Sequence, residues 1–307
     1  MHRFKTLSAL LHLAATLFIL GLCLGNFAAL SDEKPAAPLK EKSETRNMRI
    51  VSIGGTITEI LYALGSGSEI VAVDSTSRYP KDALTKPNIG YMRRLSAEPI
   101  LSLDPTKVLA VEDSGPLVVL DQVREAGQEI NLISDEPSLK GVYAKIQEIS
   151  AAINKQEVGK RLADELRARL KPITDTIAKA ETRPRVLLLL SFGSGGSPVA
   201  AGKNTSADSI ISIVGAQNTI DAFEGYKPLS PEVAVKASPD FIITTNRSLG
   251  LIGGIDKLLE IPGLSITPAA KNKNIIAMDG LLLLGFGLRI DEALEKLGSQ
   301  LYSDLKF

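Results

Sequence analysis

A short segment of this 307-residue chain occurs twice, once in each half. Residues 96–109 (SAEPILSLDPTKVL) align without gaps on residues 230–243 (SPEVAVKASPDFII), and subtracting 96 from 230 gives an offset of 134 residues. Each copy starts with a serine that can cap a helix, carries a glutamate in the first turn and reaches a proline before an apolar strand. Because this offset far exceeds the period of a stacked repeat, the pattern predicts two similar α/β lobes.

Strand-like and helix-like segments alternate along both halves, which is typical of parallel α/β construction. The predicted strands are residues 49–53, 70–73, 108–111, 130–133, 185–190, 241–244 and 275–278. The predicted helices are residues 56–64, 116–126, 156–180 and 287–302, and a capping box of Thr56 and Glu59 begins the first of them. The third helix has one apolar face and lies between the halves. We therefore predict an α/β fold of two Rossmann-like lobes joined by a single long helix that leaves little room for hinge motion.

The loop before the first copy combines a glycine, a tyrosine and an arginine. Gly90 permits a sharp turn, so Tyr91 is expected on a loop. Arg93 is close enough to reach the phenol oxygen if both side chains point into one cleft. Tyr91 precedes the glutamate of the first copy by seven residues, and Tyr226 precedes that of the second by six. A ligand between the lobes would then meet a tyrosine from each side.

Residues 1–25 have the basic start and apolar stretch of a secretory signal peptide, which predicts export to the periplasm. Small residues at Cys23 and Gly25 favour cleavage after Gly25, with Ala28 and Ala29 as alternatives, whereas Leu22 argues against a lipoprotein site at Cys23. The apolar stretch is close to the minimum length of a membrane span, so a retained anchor is the alternative. Residues 26–47 are rich in Lys, Glu, Pro and Ala, and they predict a disordered linker.

The mature chain would contain no histidine and no cysteine, because His2, His12 and Cys23 all lie in the predicted signal peptide. No disulfide framework is therefore available to the exported protein. Without Arg3 and Lys5, the 35 basic residues become 33 against 35 acidic ones, a net charge of −2. This balance argues against nucleic acid as a partner.

Residues 90–98 (GYMRRLSAE) resemble the haem-ligand loop of the periplasmic haem-binding proteins of bacterial ABC importers, the HmuT/PhuT/ShuT-like group. Residues 201–208 (AGKNTSAD) and 284–287 (LGFG) also resemble that family, and the resemblance extends from Arg49 to the C-terminus. It implies the helical-backbone architecture of class III substrate-binding proteins, with haem held in the cleft between two lobes.

The resemblance also implies roles for individual residues. Tyr91 would be the axial ligand of the haem iron, and Arg93 would hydrogen-bond its phenolate. Glu98 and Glu232 would dock onto arginines of the permease. Some family members use a histidine of the second lobe to stack two haems. This chain has no such histidine, and we expect Phe192 to lie in the loop that would carry it. A further candidate is Tyr226, which would stack on the porphyrin or ligate the iron from the second lobe. The other candidates would bind the haem propionates, and they are Arg94, Lys203 and Arg289.

The residue chemistry supports tyrosine as the ligand independently of the family. A mature chain without histidine or cysteine offers iron only oxygen donors or the thioethers of Met48, Met92 and Met278. Tyrosinate is a hard anionic oxygen that suits ferric iron. A free phenol has a pKa of about 10, so a metal and a nearby cation are needed to keep it ionised at neutral pH. An arginine provides that cation, because it stays charged and offers several donors.

The resemblance therefore implies a binding protein that passes hemin to an inner-membrane ABC permease dimer with its ATPase subunits, downstream of an outer-membrane haem receptor. The predicted domains after the signal peptide and linker are residues 48–155, 156–182 and 183–307. Two alternatives stay open: a siderophore- or corrinoid-binding protein of the same architecture, and a haem enzyme. A haem enzyme is disfavoured, because peroxide chemistry uses a distal acid–base group that is usually histidine, and the mature chain would have none.

Overall fold

The computed structural model describes residues 47–193 and 197–307. The predicted signal peptide, nearly all of the predicted linker and part of the loop after the fifth predicted strand lie outside these ranges. Cleavage after Gly25 and the alternative of a retained anchor therefore stay predictions, as do the exact domain limits.

The first lobe is built on a parallel sheet, as the sequence predicts. Its strands are β1 (Ile50–Ile53), β2 (Ile70–Val73), β3 (Lys107–Val111) and β4 (Ile130–Ile133). Its helices are α1 (Gly55–Ala63), α2 (Ala97–Leu101), α3 (Leu117–Glu125) and α4 (Leu139–Ala152). The strand order is β2–β1–β3–β4, and every pairing is parallel. Ligands of such sheets bind beyond the carboxyl ends of the strands, so the loops that follow them are candidate site elements.

The long predicted helix is present as α5 (Gln156–Ile177), which begins at the predicted residue, continues through Pro172 and ends before residue 180. The strands of the second lobe are β5 (Arg185–Phe192), β6 (Pro198–Ala201), β7 (Gln217–Asn218), β8 (Tyr226–Pro228), β9 (Phe241–Thr245) and β10 (Ile275–Met278). Its helices are α6 (Ser206–Ile213), α7 (Pro231–Ala237), α8 (Asn246–Leu251), α9 (Ile255–Leu259), α10 (Pro268–Lys271), α11 (Gly280–Leu284) and α12 (Ile290–Leu301). The sheet order is β10–β9–β5–β6–β8, with β7 also pairing with β5, and β6 is antiparallel to both of its neighbours.

Strand β5 separates two hydrophobic clusters. Val186 and Leu188 belong to a large cluster that also contains residues of the first lobe, α5 and α12. Leu187 and Leu189 belong to a smaller cluster confined to the second lobe, because successive side chains of a strand point to opposite faces. The large cluster therefore continues from one lobe to the other. An extensive apolar interface restrains relative motion, which supports the predicted lack of a hinge.

The sequence repeat is also a structural repeat. Asp104 and Ser238 occupy equivalent positions, and both adopt the left-handed conformation with φ of 43° and 40°. Non-glycine residues seldom adopt this conformation, so its occurrence at the same place in both copies is specific. The two segments therefore share backbone geometry as well as sequence pattern.

An arginine that the sequence analysis missed completes each copy. Arg49, just before β1, donates from Nη2 to the Leu103 carbonyl at 2.6 Å and from Nε to the Asp104 carbonyl at 3.1 Å. Arg185, at the start of β5, makes the same two bonds to Ala237 at 2.7 Å and to the residue after it at 3.3 Å. We call this pair of contacts the arginine clamp. In each lobe it fixes the turn that leads out of the short glutamate-bearing helix, α2 or α7.

The segment from Gly285 to Asp291 is held by α4 of the first lobe and by the connecting helix α5. Lys145 of α4 is fully buried, binds Asp135 at 2.5 Å and donates to the carbonyls of Gly285 and Phe286 at 3.4 Å. Arg169 of α5 binds Asp291 at 2.5 Å. This segment follows the last strand of the second lobe, so it ties the two lobes together beside α5.

Two of the predicted helix caps differ from the structure. The capping box of Thr56 and Glu59 is wrong, because α1 already begins at Gly55 and has no side-chain cap. Glu59 instead faces Arg289, with two nitrogen–oxygen distances of 3.2 Å. Ser96 precedes α2 without a capping bond from its side chain, whereas Ser230 accepts from the Val233 amide at 3.3 Å, as predicted.

Candidate functional site

The loop that carries Tyr91 lies at the carboxyl edge of the first sheet and is firmly anchored. Gly90 has a φ of 98°, which confirms the predicted sharp turn. Its carbonyl accepts from the amide of Ser75, in the loop after β2, at 2.8 Å. Met92 and Leu95 are buried in the core on either side of the exposed arginines. The backbone therefore presents Tyr91 to solvent from a fixed position.

Tyr91, Arg93 and Asp113 form a chain of hydrogen bonds. Arg93 donates from Nη1 to the Tyr91 phenol oxygen at 3.0 Å, which confirms the predicted contact. Its other terminal nitrogen, Nη2, binds Asp113 Oδ2 at 2.8 Å. The hydrogen bond to Asp113 raises the pKa of Arg93, and the contact with Tyr91 raises it further. The guanidinium is thus a permanent cation beside the phenol oxygen.

Asp113 is the site residue that sequence reasoning missed. It lies in the loop that follows β3, and this loop is bonded to the Tyr91 loop through two backbone contacts. The Gly115 amide donates to the Met92 carbonyl at 2.9 Å, and the Leu95 amide donates to the Gly115 carbonyl at 3.0 Å. A carboxylate two residues after a parallel strand was a usable signal for a site residue, but its partner was not evident from the sequence.

Three tyrosines are exposed to a similar extent, and their surroundings differ. The exposed fractions of Tyr79, Tyr91 and Tyr226 are 43%, 41% and 37%. The Tyr226 oxygen is 3.1 Å from the neutral hydroxyl of Ser206. The guanidinium of Arg289 lies over the ring of Tyr79, 3.7 Å from its centre, rather than at the oxygen. Tyr91 is therefore the exposed tyrosine whose oxygen receives a bond from a cation.

The second-lobe candidates do not form one cluster. Tyr226 of β8 pairs with Ala201 at one end of β6, whereas Phe192 of β5 pairs with Pro198 at the other end. These positions on β6 are separated by roughly 10 Å at 3.3 Å per residue. Lys203 lines a cavity of about 500 Å³ that is formed by second-lobe residues. The assignments of Phe192, Tyr226 and Lys203 to haem remain predictions.

Arg289 is committed to contacts within the protein. Its guanidinium faces the buried carboxylate of Glu59 and covers the ring of Tyr79. Burial raises the pKa of Glu59, although Arg289 acts in the opposite direction. These contacts favour a structural role over the predicted propionate contact, which remains untested. Arg94, by contrast, is exposed next to Arg93.

Glu98 and Glu232 occupy equivalent exposed positions in the two lobes. Each lies in the first turn of its short helix. Hydrogen bonding with the Ser230 hydroxyl lowers the pKa of Glu232. The repeat therefore presents one acid at each lobe, as the sequence predicts.

The described residues offer few other ligands for a metal. No group of three or more His, Cys, Asp or Glu residues within residues 47–193 and 197–307 could hold a metal ion. The thioethers of Met92 and Met278 belong to buried core residues. The site can therefore present one phenol oxygen, held beside an arginine, to a ligand that approaches the carboxyl edge of the first sheet.

The chain is similar to known proteins in both sequence and architecture. A family model described as a periplasmic binding protein matches residues 50–281, which is most of the chain. The chain belongs to the periplasmic binding protein family. The family and its solved structures confirm the predicted fold class, the two-lobe class III architecture with a helical backbone.

Three relatives illustrate the similarity. The periplasmic heme-binding protein RhuT from Roseiflexus sp. RS-1, solved in its apo form, is 42% identical with a TM-score of 0.81, covering 84% of this chain and 98% of that chain. The ABC transporter substrate-binding lipoprotein YvrC of Bacillus subtilis, whose function is uncharacterized, is 29% identical over 262 residues, covering 83% of this chain and 80% of its own length. The vitamin B12-binding protein of Vibrio campbellii is 26% identical over 202 residues, covering 66% and 72%.

These three relatives are named as a heme-binding protein, a substrate-binding lipoprotein of an ABC transporter and a vitamin B12-binding protein. In the part of this periplasmic binding protein that the structure describes, no helix is long and apolar enough to cross a membrane.

Proposed function

We propose that this periplasmic binding protein captures hemin between its two lobes and delivers it to an ABC permease for haem-iron uptake. Tyr91 provides the axial oxygen ligand of the ferric iron, and Arg93 stabilises the phenolate. Hemin reaches the protein from an outer-membrane receptor, and the predicted signal peptide directs the chain to the periplasm. The similarity to RhuT, a heme-binding protein, supports this cargo.

The observation that carries the proposal is the bond from Arg93 to the Tyr91 oxygen. A phenolate at neutral pH needs positive charge close to its oxygen, and ferric iron together with a guanidinium supplies it. The chain has no histidine after His12 and no cysteine after Cys23. Tyrosine is therefore the strongest ligand for ferric iron that the folded protein can offer.

An absorption titration of the apoprotein with hemin tests the cargo. We expect saturable binding with the spectrum of a tyrosinate-ligated ferric haem. The relative that binds vitamin B12 favours a corrinoid as the second candidate, and a parallel titration with cyanocobalamin separates the two. Saturable binding of cobalamin without binding of hemin would reject the proposed cargo.

A haem enzyme is the remaining alternative, and we infer that the protein is not one. Peroxide turnover by the hemin-loaded protein is expected to be no faster than that of free hemin, because no histidine is available as a distal acid–base group. Faster turnover would contradict this inference.

Arg93→Ala should weaken hemin binding most strongly in acid. The substitution removes a cation and a hydrogen-bond donor from the ligating oxygen, so protons compete more effectively with the ferric iron for it. We expect the pH at which half of the hemin is released to rise relative to the wild-type protein, measured from the absorption spectrum. Arg124→Ala, which removes an exposed arginine that is paired with Asp121 on α3, is the matched control. Equal midpoints for the wild type and Arg93→Ala would make Arg93 a bystander.

Glu98 and Glu232 are proposed to dock onto two equivalent basic sites of the permease dimer. Their exposure and their equivalent positions in the repeat support this role. The alternative is that each carboxylate only stabilises its own helix through the helix dipole, which contributes about 0.3–1 kcal/mol. Charges at the rim of an interface act mainly on steering and register, so they should affect the partner and not the cargo.

Glu98→Lys combined with Glu232→Lys should stop haem uptake while leaving hemin affinity and thermal stability close to wild type. Uptake is measured in cells that express the cognate importer, and hemin affinity on the purified protein. Glu125→Lys combined with Glu260→Lys, which reverses two exposed acids outside the repeat, is the control for net charge. Normal uptake by the first double variant, or a loss of its hemin affinity, would show that these roles are misassigned.

A further inference from the structure

The geometry points to Asp113 as a positioning residue that holds Arg93 against the Tyr91 oxygen. This inference rests on the proposed function, since it concerns the site at which Tyr91 would bind iron. The side-chain hydrogen bond of Asp113 is made with Arg93. Asp113 therefore acts on Tyr91 through Arg93.

The two ends of the Arg93 guanidinium have separate partners. Nη1 binds the Tyr91 oxygen at 3.0 Å, and Nη2 binds Asp113 at 2.8 Å. The side chains of Arg93 and Asp113 remain 50% and 60% exposed. A bond to the phenol oxygen alone would leave a long exposed arginine free to rotate, whereas a second hydrogen bond at the other end restricts the planar group to one orientation.

Exposed ion pairs often contribute little, because two side chains must be ordered to form them. Part of that ordering is provided here by the backbone. The Gly115 amide bonds to the Met92 carbonyl, and the Leu95 amide bonds to the Gly115 carbonyl. The Asp113 loop is therefore fixed to the Tyr91 loop on both sides of Arg93. The Asp113 carboxylate is thus already positioned to accept a hydrogen bond from the Arg93 guanidinium.

Asp113→Ala and Asp113→Asn separate positioning from charge. The alanine removes the acceptor, whereas the asparagine keeps an oxygen that can accept from Nη2. We expect hemin to dissociate about three- to fivefold faster from Asp113→Ala, in the upper part of the range of an exposed ion pair, and at nearly the wild-type rate from Asp113→Asn. The phenolate-to-iron charge-transfer band should shift in the alanine variant toward its position in Arg93→Ala. In the Arg93→Ala background, Asp113→Ala should add no further effect.

The matched control is Asp121→Ala. Asp121 is also 60% exposed and also binds an arginine at 2.7 Å, but on α3, where Arg124 is its partner. Wild-type dissociation from Asp113→Ala, or equal effects of the alanine and asparagine variants that persist without Arg93, would overturn the inference.

Crystal structures of the two apoprotein variants give a readout that does not depend on hemin. The bond between Arg93 and Tyr91 should be lost in Asp113→Ala and kept in Asp113→Asn. Retention of the bond in the alanine variant overturns the positioning role whatever the protein binds. Failure of the wild-type protein to bind hemin would instead reject the proposed function.

Discussion

Tyr91→Ala is expected to lower hemin affinity by at least about 100-fold, which corresponds to about 2.8 kcal/mol. The side chain is exposed, so its removal leaves the fold intact. The variant loses the phenol oxygen that is proposed to bind ferric iron, and the chain beyond residue 25 contains no histidine or cysteine to replace it. Tyr91→Phe should show nearly the same loss, because the ring alone cannot ligate iron. Hemin titrations monitored in the Soret region provide the measurement.

Tyr79→Phe is the matched control, since Tyr79 is equally exposed but has its arginine over the ring. Its hemin affinity and spectrum should stay close to wild type. A wild-type spectrum in Tyr91→Ala would reject Tyr91 as the ligand. If Tyr226→Phe then abolished that spectrum, the ligand would belong to the second lobe.

Arg289→Met is expected to lower the free energy of unfolding at pH 7 by about 3–5 kcal/mol, the usual cost of leaving a buried charge without its partner. Glu59 is only 4% exposed, and Arg289 is its ion-pair partner. Glu59→Gln combined with Arg289→Met should recover much of the loss, because no buried charge then remains. Urea unfolding of the three proteins tests this expectation.

The loss caused by Arg289→Met should depend on pH in a defined direction. Burial raises the pKa of Glu59 above 4.5, so the folded state binds this proton more tightly than the unfolded chain does. The stability that the protonated side chain contributes is complete below about pH 4.5 and is lost as the pH rises through the folded pKa. Without Arg289, which opposes the effect of burial, the folded pKa rises further. The variant should therefore be closer to wild type at pH 5 than at pH 7.

Lys171→Met is the control for this experiment. Lys171 and Asp175 form a pair that is mostly exposed on α5, and such pairs contribute no more than about 1 kcal/mol. A similar small effect of Arg289→Met, or one that grows in acid, would contradict the account of Glu59 as a buried and paired carboxylate.

Local sequence patterns predicted much of the fold and the centre of the site. The predicted strands are all present, because runs of buried β-branched and apolar residues mark parallel strands without reference to distant parts of the chain. Tyr91 and Arg93 are two residues apart on a turn set by Gly90, so their contact followed from local geometry.

The residues that escaped prediction depend on distant segments meeting. Asp113 joins Arg93 only because two loops are bonded at the edge of the sheet. Glu59 was read as a helix cap, but its partner is Arg289, 230 positions away. Buried Lys145 of α4 likewise binds a distant group, the carbonyl of Gly285, 140 positions away. No periodicity or spacing in the sequence indicates such contacts.

The arginine clamp has a consequence for how a partner would meet the two acids. Arg49 and Arg185 fasten the turns after α2 and α7 to the first strand of each sheet, and the large hydrophobic cluster includes residues of both sheets. The distance and direction from Glu98 to Glu232 are therefore set by the packed interior of the protein and not by its loops. A permease that reads both acids meets a preorganised template, so its binding energy is not spent on ordering flexible tips.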